Sequence, residues 1–361
     1  MQSGKLFISI IFFISVFQLR CPMGIPNEFV DDILNASYLA PLATGQTQCW
    51  DTAGAVETCS GTGQDGEYQK GRAADFTGPT QYQATGEYTT TDNGTGLVWT
   101  TCVEGQSGVD CTGGADTTYI WTAASTQCNA LNALNAGAGY GGRTNWQMPT
   151  IQELGTIVDY SEYSPAVNIA YFPNIVAVSW DWSSTTDPTD TLNAMVVFPS
   201  TGWTSSEVKG NSRNLRCVSG SYDSSNDYLD MSDGTVFDKS TNLLWQKCSA
   251  GLSGSNCTSG TIKVVTWTAG LSYCNSLSLN GYTWKLPNIN ELKSIVDYTN
   301  ANPAIDQSAF PNTASGLYMT STTLNVTNFT QEWYIDMTNG LVNYDAKSNI
   351  KRVRCVTDGF Y

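Results

Sequence analysis

The spacing of the cysteines is the feature that most limits how this chain can fold. One set of four cysteines is followed by a second set of four, namely Cys102, Cys111, Cys128 and Cys217, then Cys248, Cys257, Cys274 and Cys355. The first two gaps are 9 and 17 residues in both sets, and the last gaps are 89 and 81 residues. Matching spacing predicts a disulfide framework that occurs twice, in two tandem modules.

The framework predicts two disulfides in each module. They are Cys102–Cys111 and Cys128–Cys217 in the first, and Cys248–Cys257 and Cys274–Cys355 in the second, with Cys49–Cys59 as a local pair before them. Zinc binding is the alternative for cysteine clusters. It is disfavoured because the sequence contains neither C-x2-C spacing nor histidine, so we expect no metal and no cofactor.

A repeated phrase supports the two modules. "WQMPTIQELGTIVDY" (146–160) returns as "WKLPNINELKSIVDY" (284–298), with nine of fifteen positions identical. Thr150 and Asn288 are typical helix N-caps, and Glu153 and Glu291 follow three residues later, which is the pattern of a capping box. The phrase therefore predicts a short helix in each module, and its repetition indicates packing more than chemistry.

The residues before the modules resemble an export signal. Residues 6–19 form an apolar run behind Lys5, too short for a membrane span of about 20 residues. We expect a signal peptide over 1–21, with Cys21 as a candidate lipidation site, although Arg20 departs from the usual lipobox. The expected mature protein is exported, at the outer-membrane surface or extracellular, and contacts a membrane only through such an anchor.

The domain boundaries follow from the repeat. Residues 22–84 are expected to be an extended, loosely packed segment apart from the Cys49–Cys59 loop. The first module is expected over 85–219 and the second over 228–361, with a polar linker at 220–227. The net charge of −15, from 17 basic and 32 acidic residues, argues against nucleic acid as a partner.

Motifs in a fixed order resemble the Lcl C-terminal domain family. They are "TGLVW" (95–99), "WTAASTQC" (121–128), "WQMP" (146–149), "YFPN" (171–174), "DWSSTT" (181–186) and "LRCV" (215–218), with counterparts in the second module. The resemblance implies an α/β (α+β) fold of two C-type-lectin-like domains, each with two short helices and a small, mostly antiparallel sheet. It also implies exported bacterial proteins that adhere or recognise ligands. Met319 stands where Trp182 stands in the first module, and the calcium–sugar triplets of C-type lectins are missing.

Two groups of residues are candidates for ligand binding. Trp180, Trp182 and Trp203 form an aromatic loop set, with Asp181 among them, that can stack on sugars or anchor a protein. The alternative is that these rings fill the core, as expected for Trp182, and Tyr318 of the second module is a further candidate. Lys347, Lys351, Arg352 and Arg354 form a basic run that can hold an anion, or simply a solvated strand edge. Paired carboxylates can cleave glycosides, and Glu153, Asp159, Glu291 and Asp297 form such a set. Glu153 and Glu291 are expected to cap helices, and Asp159 and Asp297 to lie at helix ends, so no catalytic residue is predicted.

These observations favour an adhesin-like binding protein over an enzyme. The expected partner is a glycan or a protein on a host or neighbouring cell surface, and the oligomeric state is left open. One alternative is a structural cell-envelope protein without a specific ligand. Another is an enzyme of the sulfatase-activating branch of the same broad fold, which would need reactive cysteines.

Overall fold

The computed structural model describes residues 38–175, 179–222, 226–325 and 329–359. The expected signal peptide and Cys21 lie outside these residues. Within the described part of the chain, no helix is both long and apolar enough to cross a bilayer.

The chain forms an α+β structure in which short strands predominate. The helices are α1 Asp65–Tyr68, α2 Trp121–Ala130, α3 Leu134–Gly137, α4 Ile151–Leu154, α5 Trp267–Asn275 and α6 Ile289–Lys293, and 3-10 turns occupy Leu131–Ala133 and Tyr140–Gly142. The strands before the first module's end are β1 Cys49–Trp50, β2 Val56–Glu57, β3 Phe76–Gln81, β4 Tyr88–Asp92, β5 Val98–Thr100, β6 Gln106–Ser107, β7 Gly113–Gly114, β8 Trp146–Gln147, β9 Asp181–Thr186, β10 Asn193–Val197, β11 Thr204–Val208 and β12 Val218–Ser219. Those of the second module are β13 Tyr228–Asp230, β14 Thr235–Asp238, β15 Leu243–Gln246, β16 Leu252–Ser253, β17 Ser259–Gly260, β18 Val264–Val265, β19 Leu317–Thr323, β20 Gln331–Asp336, β21 Leu341–Ala346, β22 Lys351–Arg352 and β23 Val356–Asp358.

The two modules repeat one arrangement of two larger sheets, with a further two-stranded sheet in each, β6-β7 in the first and β16-β17 in the second. In the first module the sheets have the orders β3-β4-β5-β12-β8 and β11-β10-β9. In the second they are β13-β14-β15-β23 and β18-β22-β19-β20-β21. The pairing is antiparallel except between β19 and β22. The predicted boundary at residue 85 falls inside the β3–β4 hairpin, so the first sheet begins earlier than the repeat indicates.

The five disulfides join the cysteines that the spacing pairs. Cys128 in α2 is bonded to Cys217 beside β12, and Cys274 in α5 to Cys355 beside β23. In each module the long disulfide therefore connects a helix to the last strand. The short disulfides are Cys102–Cys111, Cys248–Cys257 and Cys49–Cys59.

The repeated phrase forms the expected capped helices. In α4 the Thr150 hydroxyl accepts from the Glu153 amide at 3.1 Å, and the Glu153 carboxylate accepts from the Thr150 amide at 2.7 Å. Asn288 and Glu291 make the same reciprocal pair in α6. These bonds satisfy two amides at the helix start that have no partner within the helix.

The strands β9 and β19 are rich in serine and threonine and lack a regular alternation of apolar and polar residues. Their hydroxyls bond the neighbouring strand: Ser183 Oγ donates to the Met195 carbonyl and Thr320 Oγ1 to the Trp333 carbonyl, each at 2.7 Å. Small polar side chains that are satisfied in this way can be buried without cost to the sheet. The hydrophobic alternation that marks other strands is therefore missing here.

The motif arginines are interior residues. Arg216 Nη1 donates to the Thr100 carbonyl at 2.7 Å, and its guanidinium lies 5.1 Å from the ring of Phe172. Arg354 does the same in the second module, with the Gln246 carbonyl at 2.9 Å and the Phe310 ring at 4.7 Å. Each arginine thus links the phenylalanine of the F-P motif to the loop after the tryptophan strand.

Residues 38–72, which we name the N-terminal strap, pack against the second module. Asp65 is buried and accepts hydrogen bonds from Thr44 at 2.6 Å and from Thr322 at 2.8 Å. The Trp50 ring stacks on Phe329 with ring centres 4.7 Å apart. The expectation of a loosely packed segment is therefore wrong, because the strap supplies buried polar and aromatic contacts that its Gly- and Thr-rich composition does not reveal.

The modules meet across a local twofold axis. Val342 N–H donates to Thr204 Oγ1 at 2.7 Å, and Lys293 Nζ donates to the Gly155 carbonyl at 3.4 Å. In both bonds a residue of the second module meets its own counterpart, 138 positions earlier. Contacts between counterpart positions are the pattern that a twofold axis produces. Both repeated phrases contribute to one shared core there.

We expect the long disulfides to stabilise the fold more than the short ones. The chain-entropy relation gives about 4.6 kcal/mol for a loop of 89 residues and about 2.6 kcal/mol for one of 9. Chemical denaturation of C128A/C217A and C102A/C111A variants measures the difference. Equal losses in the two variants would contradict a role of loop closure.

We also expect the two modules to unfold in a single transition, because they share a core. Trp333 is 1 % exposed, and its ring centre lies 4.9 Å from that of Tyr160 in the other module. W333A should lower the free energy of unfolding by about 3–5 kcal/mol without splitting the transition. L192A, at a side chain that is 73 % exposed, is the control and should change little. Two separate calorimetric peaks in the wild type would refute the coupling.

Candidate functional site

The residues that the sequence suggests for ligand binding differ in how far their side chains are exposed. Asp181, Tyr318, Lys347 and Lys351 are 4 %, 1 %, 1 % and 1 % exposed, so none of them presents its side chain to an external ligand. Trp180, Trp203 and Arg352 are half-buried. Only part of the proposed set therefore remains available at the surface.

The basic run does not form the anion-binding surface that the sequence suggests. Lys351 pairs with buried Glu332 at 2.9 Å and with Asp345 at 3.3 Å. Lys347 donates to the Trp50 carbonyl at 3.0 Å and lies 4.0 Å from the centre of the Trp267 ring. Lys347 therefore joins the second module to the N-terminal strap, and Lys351 is paired within the second module, so neither forms an anion clamp. Sequence proximity alone could not reveal their inward direction.

The two arginines of the basic run do not form an anion clamp either, because Arg354 is buried and Arg352 is half-buried. Arg354 Nη2 donates to Thr313 Oγ1 at 2.7 Å and to Ser249 Oγ at 3.3 Å, so its charge is used within the module. Arg352 lies on β22 close to Gly316, where an added Cβ would be 2.5 Å from the arginine Nη1. The four basic residues therefore do not form one surface.

Asp181 and Tyr318 occupy equivalent places in the two modules, and each lies beside the motif arginine of its own module, Arg216 or Arg354. Burial raises the pKa of Asp181 to about 6, while the nearby Arg216 guanidinium acts in the opposite direction. In the second module the Tyr318 hydroxyl bonds Ser249 Oγ at 2.8 Å beside Arg354. Both positions are structural neighbours of the motif arginine and not ligand contacts.

The helix carboxylates are engaged within the fold. Glu153 and Glu291 complete capping boxes, and Glu291 also pairs with buried Lys285. Asp159 accepts from the Ser161 hydroxyl at 2.6 Å, and Asp297 from the Thr299 hydroxyl at 2.6 Å. Their oxygens stabilise helix starts and turns. Among the residues that the structure describes, no group of three or more Cys, Asp or Glu side chains is arranged to hold a metal ion.

Trp180 and Trp203 do come together, in a cluster that we name the aromatic surface: Trp180, Phe198, Trp203 and Tyr344. The ring centres of Trp180 lie 4.9 Å from Phe198 and 5.0 Å from Trp203, and Trp203 lies 6.2 Å from Tyr344. All four side chains are half-buried. Tyr344 belongs to the second module, so the surface crosses the junction near the twofold axis.

The aromatic surface is present in only one of the two copies. The counterparts of Trp180, Phe198 and Trp203 in the second module are Leu317, Asp336 and Leu341. Both copies nevertheless form the same sheets. The module fold therefore does not require these rings, which distinguishes them from Trp99 and Trp146, whose counterparts Trp245 and Trp284 are also tryptophans in the core.

Sequence reasoning missed Phe198 and Tyr344 as members of this surface. Phe198 follows the apolar run of β10 and resembles a core residue, and Tyr344 lies 141 positions beyond Trp203. Comparing the two copies position by position could have identified Phe198, because its counterpart is an aspartate. No local signal indicates Tyr344, which joins only through the packing of the modules.

Comparison with protein families finds two matches in this chain. The model described as the Lcl C-terminal domain matches residues 88–219 and again residues 234–357. Together these matches cover most of the chain, and they coincide with the two disulfide-linked modules. No curated protein matches the chain.

We expect Asp181 to make stability fall as the pH rises through about 6. Its carboxyl has a raised pKa in the folded protein, so between about pH 4 and pH 6 the folded state holds a proton that the unfolded state has released. Ionising it at higher pH should cost roughly 1–3 kcal/mol.

Urea unfolding of the wild type and D181N between pH 4.5 and pH 7 measures this effect. The stability of D181N should decline less over that interval, because asparagine does not titrate. Raised pKa values at Asp65, Asp238 and Glu332 add to the decline in both proteins, so the comparison depends on the difference in slope. Parallel curves would show that Asp181 titrates normally.

Proposed function

The chain belongs to the Lcl C-terminal domain family, with two tandem copies, and from this we propose that it is a bacterial binding protein of the adhesin type. The family and the five disulfides fit an exported protein, because disulfides persist in oxidising compartments. We further propose that it acts at the outer-membrane surface or outside the cell, where a lipid at Cys21 would tether it.

We propose that each module is related to the C-type lectins. Two features support this relation. The first is a helix that is disulfide-bonded to the last strand, as Cys274 is to Cys355. The second is direct pairing of an early strand with the last strand of the module, β5 with β12 and β15 with β23.

The proposed ligand is a glycan, and the aromatic surface carries the proposal. Flat half-exposed rings offer apolar faces to sugars, and indole N–H groups add hydrogen-bond donors. Trp180 and Trp203 are both half-buried, so part of each indole reaches the surface. The absence of the rings from the second copy supports recognition over folding as their role.

The same features support binding over the rival functions. The ten cysteines among the described residues are all disulfide-bonded, whereas an enzyme of the sulfatase-activating branch would need reactive thiols. A purely structural envelope protein would not need an aromatic surface at the module junction. We therefore propose no catalytic activity, and a partner on a host or neighbouring cell.

A glycan array probed with the full chain tests the proposal. W180A/W203A should lose at least about tenfold in affinity for any glycan bound by the wild type, because aromatic anchors commonly contribute 2 kcal/mol or more. W180F/W203F, which keeps apolar rings, should retain part of the binding. L192A, at an exposed apolar residue of the same module, is the matched control.

Two outcomes would refute the aromatic surface as the site. One is a W180A/W203A variant that folds, by circular dichroism, and binds as tightly as the wild type. The other is the absence of any bound glycan or matrix protein on the array, which would favour the structural envelope function. Binding to immobilised host proteins but not to glycans would reassign the surface to a protein partner.

A further inference from the structure

A pocket of about 100 Å³ lies at the junction of the N-terminal strap and the two modules. The strap contributes Leu42 and Arg72, the first module Gly155 and Thr156, and the second module Lys293 among others. Since water occupies about 30 Å³ in the liquid, the space suits a few waters or a small ion. The pocket therefore exists only when all three parts of the chain are assembled.

Among the residues that the structure describes, the charged side chains that line this pocket are cationic. Lys293 and Arg72 line it, and no described aspartate or glutamate does, although the chain as a whole has a net charge of −15. The remaining polar lining consists of amides and hydroxyls, including Gln152 and Asn290, which can donate hydrogen bonds. A cationic pocket in so acidic a protein needs a separate explanation from the general surface.

Lys293 has no carboxylate partner among the described residues. Its ammonium makes two long hydrogen bonds, to the Gly155 carbonyl and to Asn290 Oδ1, each at 3.4 Å. It also lies 5.5 Å from the centre of the Tyr160 ring. Burial lowers the pKa of Lys293 to about 8, so the charged form is incompletely compensated by these neutral neighbours.

The module fold does not require a lysine here. The counterpart of Lys293 in the first module is Gly155, which leaves the space that the ammonium enters: an added Cβ there would be 2.6 Å from Lys293 Nζ. Arg72 is partly compensated, because its Nη2 lies 3.5 Å from Asp92, but its buried Nε and Nη1 have no hydrogen-bond partner among the described residues. The pocket therefore combines two cations with spare hydrogen-bonding capacity.

From this arrangement we propose that the pocket binds a small oxyanion, with Lys293 as its main charge partner and Arg72 as a second cation. A carboxylate, sulfate or phosphate head would compensate the buried ammonium and accept from the lining amides and hydroxyls. A second cavity of about 220 Å³ shares Leu42 and Thr156 with the pocket. Its walls are mostly apolar and include Phe76 and Ile157, with Asp159 as the one charged residue among the described lining. It gives room for the body of an organic acid beside the charged head.

Calorimetric titration and thermal unfolding of the full chain test this site, with sodium sulfate, phosphate, acetate and benzoate compared with chloride at equal ionic strength. At least one oxyanion should raise the unfolding temperature more than chloride does. K293Q should weaken that binding by at least about tenfold. K263Q, at an exposed lysine of the same module, is the matched control and should bind as the wild type does.

The choice among the oxyanions identifies the source of the head group. Preference for benzoate over acetate would indicate an organic acid that also fills the apolar cavity, whereas preference for sulfate or phosphate would indicate an inorganic or ester head. W180A/W203A should keep oxyanion binding, so failure of the aromatic surface and failure of this pocket are separable. No stabilisation beyond chloride in the wild type, or equal binding by K293Q, overturns the proposal.

If K293Q does not fold, a second variant and a pH series still test the proposal. G155A keeps the lysine, and residue 155 has φ −62°, which alanine adopts without strain, but the added Cβ would displace the ammonium and should weaken binding.

In the wild type, affinity should fall as the pH rises above about 8, where Lys293 loses its proton. Tyr160 and Tyr298 lie near it with pKa values raised by burial. Tyr222 and Arg72 are the other titratable residues of the lining in the described part of the chain, and Asp92 is paired with Arg72. A pH-independent affinity in wild type together with unchanged binding by G155A also overturns the proposal.

Discussion

The packing of the two repeated phrases against one shared core is the constraint on which the rest of the structure depends. Each phrase starts with a buried tryptophan, begins a capped helix, and continues into apolar residues such as Ile157 and Ile295 that enter a single cluster. Because the copies are alike, the surfaces they bury are complementary to themselves, which is the geometry of a symmetric dimer formed within one chain. The junction then creates both the aromatic surface and the cationic pocket, neither of which one module could form.

Much of the framework was predictable from sequence because it depends on local or repeated signals. Cysteine spacing identified every disulfide among the described residues, and the capping boxes at Thr150 and Asn288 predicted two helices. Strands β9 and β19 were missed because their serines and threonines are satisfied by carbonyls of the adjacent strand, so polarity no longer indicates exposure. The strap was misjudged because its partners lie more than 200 residues away, as with Asp65 and Thr322.

The candidate site was only partly predictable for a related reason. Trp180 and Trp203 stand out by residue type, but the direction of a side chain depends on which face of a strand it occupies and on what covers that face. Lys347 and Lys351 look like a surface clamp in the sequence, yet the strap and Glu332 enclose them. Differences between the two copies are more informative than composition, since a position that the fold needs is kept in both while a position free of that need can diverge.

The attachment of the N-terminal strap has a mechanical consequence. The strap precedes the first module in the chain, but many of its hydrogen bonds, including those of Asn290 to Leu42 and Asn288 to Lys70, join it to the second. Tension applied ahead of residue 38 would therefore reach the C-terminal module through these hydrogen bonds before it stretched the module next in sequence. A protein built in this way would resist sequential unfolding of its modules when it is pulled from its N-terminal end. The strap, which carries the force, would also hold the module junction closed.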